Sequence, residues 1–393
     1  MPLPLDGVRV VDLTRLLPGP FATQLLANLG ADVIKVEDPE VGDYLRLVPP
    51  ALDGTSYAFA MVNRNKRSVA VNLKEREGQE VLHRLVARAD VFIEQFRGGV
   101  APRLGADWET LRRVNPRLVY CAFEGFGVSG PYSGRPAHDL DFEALAGILS
   151  VTGADDGRPV IPGVPIADLA SAFNAAFSIL AALRRRDATG KGEFVDVSIF
   201  DTAVSLMVLN FARYLGTGEI PVPGETLVTG QWPFYNIYET KDGRWLSVAA
   251  VEPKFWSRLI RLLGLEEFQE EQFADEPTRG RAIKAFRAAF RARSLQEWTA
   301  VLGREDLPWA PVQSLPEVVR DPQVLARGLL VDADLGPLGR RKVLGHPARF
   351  DGLSQDASGP VPSKGQHTVE VLRELGYRSG DIARLQQRGV LGG

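Results

Sequence analysis

Short apolar runs alternate with helical patterns through the N-terminal third of the chain. "VRVVDL" (8–13) reads as a buried strand, "FATQLLANLG" as a helix closed by Gly30, and "ADVIKVE" as a second strand, which makes one strand–helix–strand unit. The pattern repeats. "SVAVNL" precedes the helix "GQEVLHRLVARA", "DVFIEQF" precedes "APRLGADWETLRRV", and "RLVYCAF" closes the series. Apolar strands separated by helices predict an α/β fold on a parallel sheet, with ligands collecting at the carboxyl ends of the strands.

Further on, "DLASAFNAAFSILAALRRR", which begins at Asp168, has apolar residues at helical spacing and three arginines that complement the dipole at its end. The Pro/Gly-rich "TGEIPVPGETLVTGQ" then marks a boundary. A second unit opens with "FYNIYETKDGRWLSVAAV", where "KDGR" between two β-type runs predicts a hairpin, and continues with helices near 253–264, 279–293 and 295–303. The segment after about 330 is punctuated by Gly and Pro and ends in the helical "HTVEVLRELGY". No tandem repeat or low-complexity tract interrupts it.

The chain has 393 residues, enough for roughly two or three units with their own cores. A net charge of −3 gives no global pull toward nucleic acid, so basic sites must be argued locally. The single Cys121 excludes an internal disulfide framework and fits a small buried hydrophobe in a reducing cytoplasm. The N-terminal "MPLPLDGVRVVDL" lacks the pattern of a signal peptide, and no stretch reads as the ~18 uncharged apolar residues of a membrane span. A soluble, untargeted protein is therefore expected.

"GFGVSG" (125–130) matches G-x-G-x-x-G, but "PYSGRP" follows where a dinucleotide site needs a helix, so NAD or FAD binding is not favoured. Arg15, Lys35, Lys66, Arg67, Arg97 and Arg103 fall in or beside the predicted strand-end loops. Each alone reads as a solvated surface charge, yet their recurrence at one edge suits a polyanion. The "TRLLPGP" loop adds helix N-terminal N–H groups that suit a phosphate. Three acid/base candidates stand out: His138, Asp168 and Glu252. Asp168 also reads as the N-cap of its helix, Asp139 as the cap of "LDFEALAGIL", and Glu252 as the residue before an N1 proline, so each has a structural reading beside the chemical one. The four histidines show no metal-ligand spacing.

Longer stretches resemble the family III CoA-transferase superfamily along nearly the whole chain: "LDGVRVVDLTRLLPGPFATQLLANLGADVIKVE", "NRNKRSVAVNLK", "DVFIEQFRGGVAPRLG" and "TGKGEFVDVSIFD", in that order. The resemblance implies a Rossmann-like large domain (1–200, completed by a return segment 326–393), a linker (201–228), a smaller α+β domain (229–325), and two subunits interlocked like chain links. "VPIADLASAF" puts Asp168 where formyl-CoA transferase and its relatives carry their aspartate nucleophile. "AHDLDF", "VEPKFW" and "PFYNIYETKDG" are similar to the alpha-methylacyl-CoA racemase branch, which points to that branch.

Inverting the carbon beside a thioester carbonyl requires a base on one face and an acid on the other. By resemblance His138 and Asp168 take these parts and Glu252 orients the imidazole; the enolate oxygen needs donors already in place, for which N–H groups of the helix after Asp168 are the candidates. The resemblance further implies CoA contacts from Val71, Asn72, Leu73 and Lys74, from Gln95, Phe96 and Arg97, from Arg103, and from Ala137 to Phe142, which includes Asp139. At "VEDP" the chain has Asp38 in place of the racemase arginine, which shifts the expected 3′-phosphate contact to Lys35, Arg15 or Lys66. No metal and no cofactor beyond the CoA of the substrate are implied. The leading expectation is a racemase of 2-methyl-branched acyl-CoA thioesters. A CoA-transferase working through an aspartyl anhydride at Asp168 and a non-catalytic acyl-CoA-binding protein are the alternatives.

Overall fold

The computed structural model describes residues 2–52, 55–153, 157–351 and 359–392. Two compact units divide the chain, one made of residues 1–146, 163–206 and 322–393, the other of 147–162 and 207–321.

Six parallel strands form the first unit's sheet, in the spatial order Arg67–Val71, Asp32–Glu37, Arg9–Leu13, Val91–Glu94, Val119–Glu124, Glu193–Ser198. Counted along the chain this is 3-2-1-4-5-6, the doubly wound order whose direction of winding reverses between the first and fourth strands. The strands are apolar because both faces are covered. On one face Val81, Leu82 and Leu85 of the helix Arg76–Val86 pack with Leu111, Val371, Leu372, Ile382 and Leu385 onto Val11, Ile34, Val69, Phe92 and Tyr120. The helix Ile166–Thr189 packs beside Pro18–Asn28 and against the strands Val119–Glu124 and Glu193–Ser198. The C-terminal Leu391–Gly392 pairs antiparallel with Arg67–Val71 and covers that edge of the sheet. Gly192 is required where the chain enters the last strand, since a Cβ there would lie 2.2 Å from the carbonyl oxygen of Leu118.

The second unit holds a three-stranded antiparallel sheet, Trp309–Pro311, Trp245–Ala249, Tyr235–Glu239. The "KDGR" hairpin turns at Gly243, φ +70°. The helices Pro253–Leu263, Thr278–Arg291 and Leu295–Leu302 cover an aromatic core of Phe234, Tyr238, Trp256, Phe286, Phe290 and Trp298. Ser294 and Glu297 close the last of these helices with a reciprocal capping box.

Two expectations are corrected. The segment 201–228 is not a plain linker: Ile199–Leu206 and Val208–Thr217 are helical, because helix-forming residues persist to Leu215, and the second helix closes on the left-handed Gly218. One helix, Ile166–Thr189, is long and apolar enough to cross a membrane by length and composition, since its charges gather at the two ends.

Four buried charges lie under the loop that leaves the first strand. Lys35 Nζ meets Asp43 at 2.8 Å and donates to the Thr14 carbonyl at 2.8 Å. Lys66 Nζ is held by Thr23 Oγ1 (2.7 Å), the Pro20 carbonyl (2.9 Å), Asn63 Oδ1 (2.9 Å) and Asp12 (3.3 Å). Asp43 Oδ1 also accepts the N–H groups of Leu16 (3.0 Å) and Leu45 (2.9 Å). Leu16 has φ +62°, a left-handed conformation that a branched residue keeps only when its surroundings impose it. Asp43→Ala leaves Lys35 buried without its closest counter-ion and frees Leu16, so a loss of about 3–5 kcal/mol is expected in urea unfolding.

Candidate active site

A cavity of about 420 Å³ opens in the first unit at the carboxyl ends of the strands, where the winding reverses. Leu16, Leu17 and Pro18 come from the loop after the first strand; Gln95, Phe96 and Arg97 follow the fourth; Glu124, Gly125 and Phe126 end or follow the fifth. Ala137, His138 and Phe142 and the first-turn Asp168 complete the wall with Leu45, Arg135 and Ile199. Most of the lining is apolar, with a small set of polar groups converging on it.

Asp168 lies in the first turn of Ile166–Thr189, not before it, and Pro165 occupies the N-cap. Its N–H donates to Asp139 Oδ1 at 3.0 Å, while Glu143 Oε1 accepts the N–H of Ile166 at 3.2 Å. Two carboxylates thus cap the helix from outside, and Asp139 does not cap its own. That helix, Asp139–Ala146, is opened by His138, whose carbonyl takes the N–H of Asp141 and whose N–H is taken in return by Asp141 Oδ2 at 2.9 Å. His138 is therefore both a helix-start residue and a cavity residue, and its imidazole is exposed.

Crowding sets the acidity of Asp168. Burial first, then the charges of Asp139 and Glu143, push its carboxyl up to about 7. Burial and Asp139 raise Glu143 as well. The capping that creates this crowding also overturns one expectation. Ile166 and Asp168 give their N–H groups to carboxylates, and Leu169 gives its own to the Pro165 carbonyl at 3.1 Å, so these three do not point at an enolate.

The remaining site residues fall in different places. Val71, Leu73, Lys74 and Arg15 line a small cleft of about 60 Å³ with Phe96 and Asp38. Asn72 is turned into its own loop, its N–H on the Val390 carbonyl and its Oδ1 on the N–H of Lys74. Arg103 is exposed and donates to the Gly99 carbonyl at 3.1 Å. Glu252 belongs to the second unit, at the N-cap of Pro253–Leu263, exposed and making no cap hydrogen bond with its side chain.

Lys35 and Lys66 are corrected outright. Both side chains are fully buried in ion pairs, so neither reaches a phosphate, and of the three cations expected to replace an arginine at position 38 only Arg15 lines a cleft. The "TRLLPGP" loop offers few anion donors for a related reason. Its Thr14 and Leu16 N–H groups are taken by Asp12 and Asp43, Pro18 and Pro20 have none, and the N–H of Phe21 just beyond it is taken by the Leu17 carbonyl. Glu124 is among the cavity residues that sequence reading missed. Its signal was its place, directly after the apolar run "RLVYCAF" in a parallel sheet.

The sequence profile of CoA-transferase family III matches residues 5–368. The chain belongs to CoA-transferase family III. It is 35% identical over 395 residues to the succinyl-CoA:glutarate CoA-transferase of Mus musculus, covering 99% of this chain and 90% of that protein. It is 33% identical over 394 residues to the alpha-methylacyl-CoA racemase of Homo sapiens, covering 98% and 97%. A crystal structure of a CAIB/BAIF family protein from Brucella suis superposes with a TM-score of 0.82 at 32% identity, over 95% of this chain and all of that one.

The raised pKa of Asp168 carries a pH dependence. Asp168 ionises near 3.8 when unfolded and near 7 when folded, so between these values the folded state holds the extra proton. This contribution is present below about 7 and shrinks as pH rises toward it. Urea unfolding of Asp168→Asn is expected to show a flatter decline in stability from pH 5 to pH 7.5 than the parent.

Proposed function

We propose that the protein is a racemase of 2-methyl-branched acyl-CoA thioesters. The observation that carries this reading is the shared cavity of His138 and Asp168, with the Asp168 carboxyl held at about 7. A group with that acidity is populated in both protonation states near neutrality, so it can give or take a proton without a large penalty. One residue removes the α-hydrogen as a proton, the electron pair moves onto the thioester oxygen to make an enolate, and the other residue delivers a proton to the opposite face. No bond to sulfur breaks. The reverse substrate configuration exchanges the two roles. The "AHDLDF" and "VEPKFW" stretches, similar to those of racemases, support the same reading.

A second reading has its own support, since relatives at 33–36% identity are named CoA-transferases of succinate with glutarate or mesaconate. In that chemistry the Asp168 carboxylate attacks the thioester carbonyl and expels CoA thiolate, leaving an acyl–aspartyl anhydride. The thiolate then attacks the aspartyl carbonyl and releases the acid. In both readings CoA enters as part of the substrate and nothing else is needed as cofactor.

We further infer a homodimer. The helix Val208–Thr217 buries none of its residues, and Val208, Leu209 and Leu215 are 65%, 64% and 76% exposed. An apolar helix in this state calls for a cover, and the resemblance to interlocked subunits makes a second copy its occupant.

Incubation of (2R)-2-methylacyl-CoA in deuterated water is expected to place deuterium at the α-position and yield both epimers without any acceptor acid. His138→Ala is expected to slow this exchange by roughly 100-fold or more. Acceptor-dependent CoA exchange together with an Asp168 adduct in the mass spectrum would replace the racemase with the transferase. For the dimer, light scattering is expected to give twice the 43.0 kDa chain mass, and Leu209→Glu with Leu215→Glu to lower it.

A further inference from the structure

Glu124 ends the strand Val119–Glu124 and lines the cavity that holds His138 and Asp168. It is 9% exposed, and among the described residues its carboxyl makes no hydrogen bond and no ion pair. Arg97 and Arg135, the two cations on the cavity wall, both stand beyond ion-pair distance from it. Its charged neighbour is instead Asp196, another acid, and burial followed by that repulsion raises the Glu124 carboxyl to about 7. Glu94, one strand over, is more deeply buried and closed off, accepting the Phe96 N–H at 2.6 Å and the Tyr120 hydroxyl at 3.2 Å.

Buried polar groups in folded proteins find partners, and one that opens onto a cavity without a protein partner is free to take a hydrogen bond from a ligand. The rest of the wall around Glu124 is largely apolar, with Leu16, Leu17, Phe126, Phe142 and Ile199. The proton-handling pair requires the α-carbon in this same cavity, so the acyl group enters it.

We propose that Glu124 is a substrate-recognition residue that accepts a hydrogen bond from a hydroxyl group on the acyl chain. The preferred thioester is then a hydroxylated 2-methylacyl-CoA, not a plain branched alkanoyl one. The proposal rests on the reading of this cavity as an acyl-CoA site. A site that pairs a buried acceptor with a substrate hydroxyl discriminates against the analogue that lacks it, because the acid is then left unpaired.

Calorimetric titration of the full-length protein with 2-methylpentanoyl-CoA, its 3-hydroxy and 4-hydroxy derivatives, and free CoA tests this. One hydroxylated thioester is expected to bind roughly tenfold tighter than the plain one, or more. Glu124→Leu is expected to erase that ratio and to keep or raise Tm, since it removes an unpaired buried acid. Glu124→Gln, whose amide oxygen still accepts, is expected to retain part of the ratio. Equal affinity of the parent for all three thioesters overturns the proposal. So does a Glu124→Leu loss shared equally by free CoA, which would make the residue a pantetheine contact, or a uniform loss with a fallen Tm, which would make it structural. Hydroxyl preference without α-deuterium exchange would overturn the racemase reading alone.

Discussion

The reversal of winding between the strands Arg9–Leu13 and Val91–Glu94 is the constraint on which the site depends. The chain leaves the ends of these neighbours in opposite directions, so their loops part and a crevice opens over the sheet. A crevice in a doubly covered sheet exposes strand ends whose own side chains remain buried, and charges there must be paired. Asp12, Lys35, Asp43 and Lys66 answer that need, and Asp43 also grips the N–H groups of Leu16 and Leu45, two residues of the cavity wall. The ionic floor and the apolar wall are one construction.

A second consequence concerns the far wall. Helix N-termini favour anions, and here the first turn of Ile166–Thr189 already has two, Asp139 and Glu143, on its N–H groups. A third carboxyl in that turn, Asp168, cannot ionise cheaply beside them. The helix is stabilised by its caps while its own acid is held protonated up to neutral pH, so helix stability and proton chemistry arise from one arrangement of charge.

The periodic elements were legible in the sequence, because alternation of apolar strands and amphipathic helices is a local signal. The central helices of the second unit and the "KDGR" hairpin fall within a residue or two of their expected places. What was misread depended on side-chain direction and distant partners. Lys35 stands inside "DVIKVE", and a lysine within a strand covered on both faces needs a buried counter-ion. Its position near a strand end suggested a ligand contact instead. Asp139 and Asp168 both precede or open helices, yet the cap that Asp139 provides belongs to a helix more than twenty residues away, which no local pattern encodes. The apolar stretch after Asp168 has a helical period, and its nearly charge-free middle also gives it the length and composition of a membrane-crossing helix.

Three acids in this unit, Glu94, Glu124 and Asp168, are held near 7, and the shared value conceals three situations. Glu94 is enclosed with a hydrogen bond from an N–H and another from a phenol, so its proton has no route to a ligand. Asp168 shares its surroundings with two helix-capping carboxylates and borders the cavity beside an exposed imidazole, which suits proton exchange. Glu124 borders the same cavity with no donor among the described residues, which suits recognition. Burial raises all three, and it is the partner, or the lack of one, that distinguishes a structural acid from a reacting one and from one that waits for a ligand.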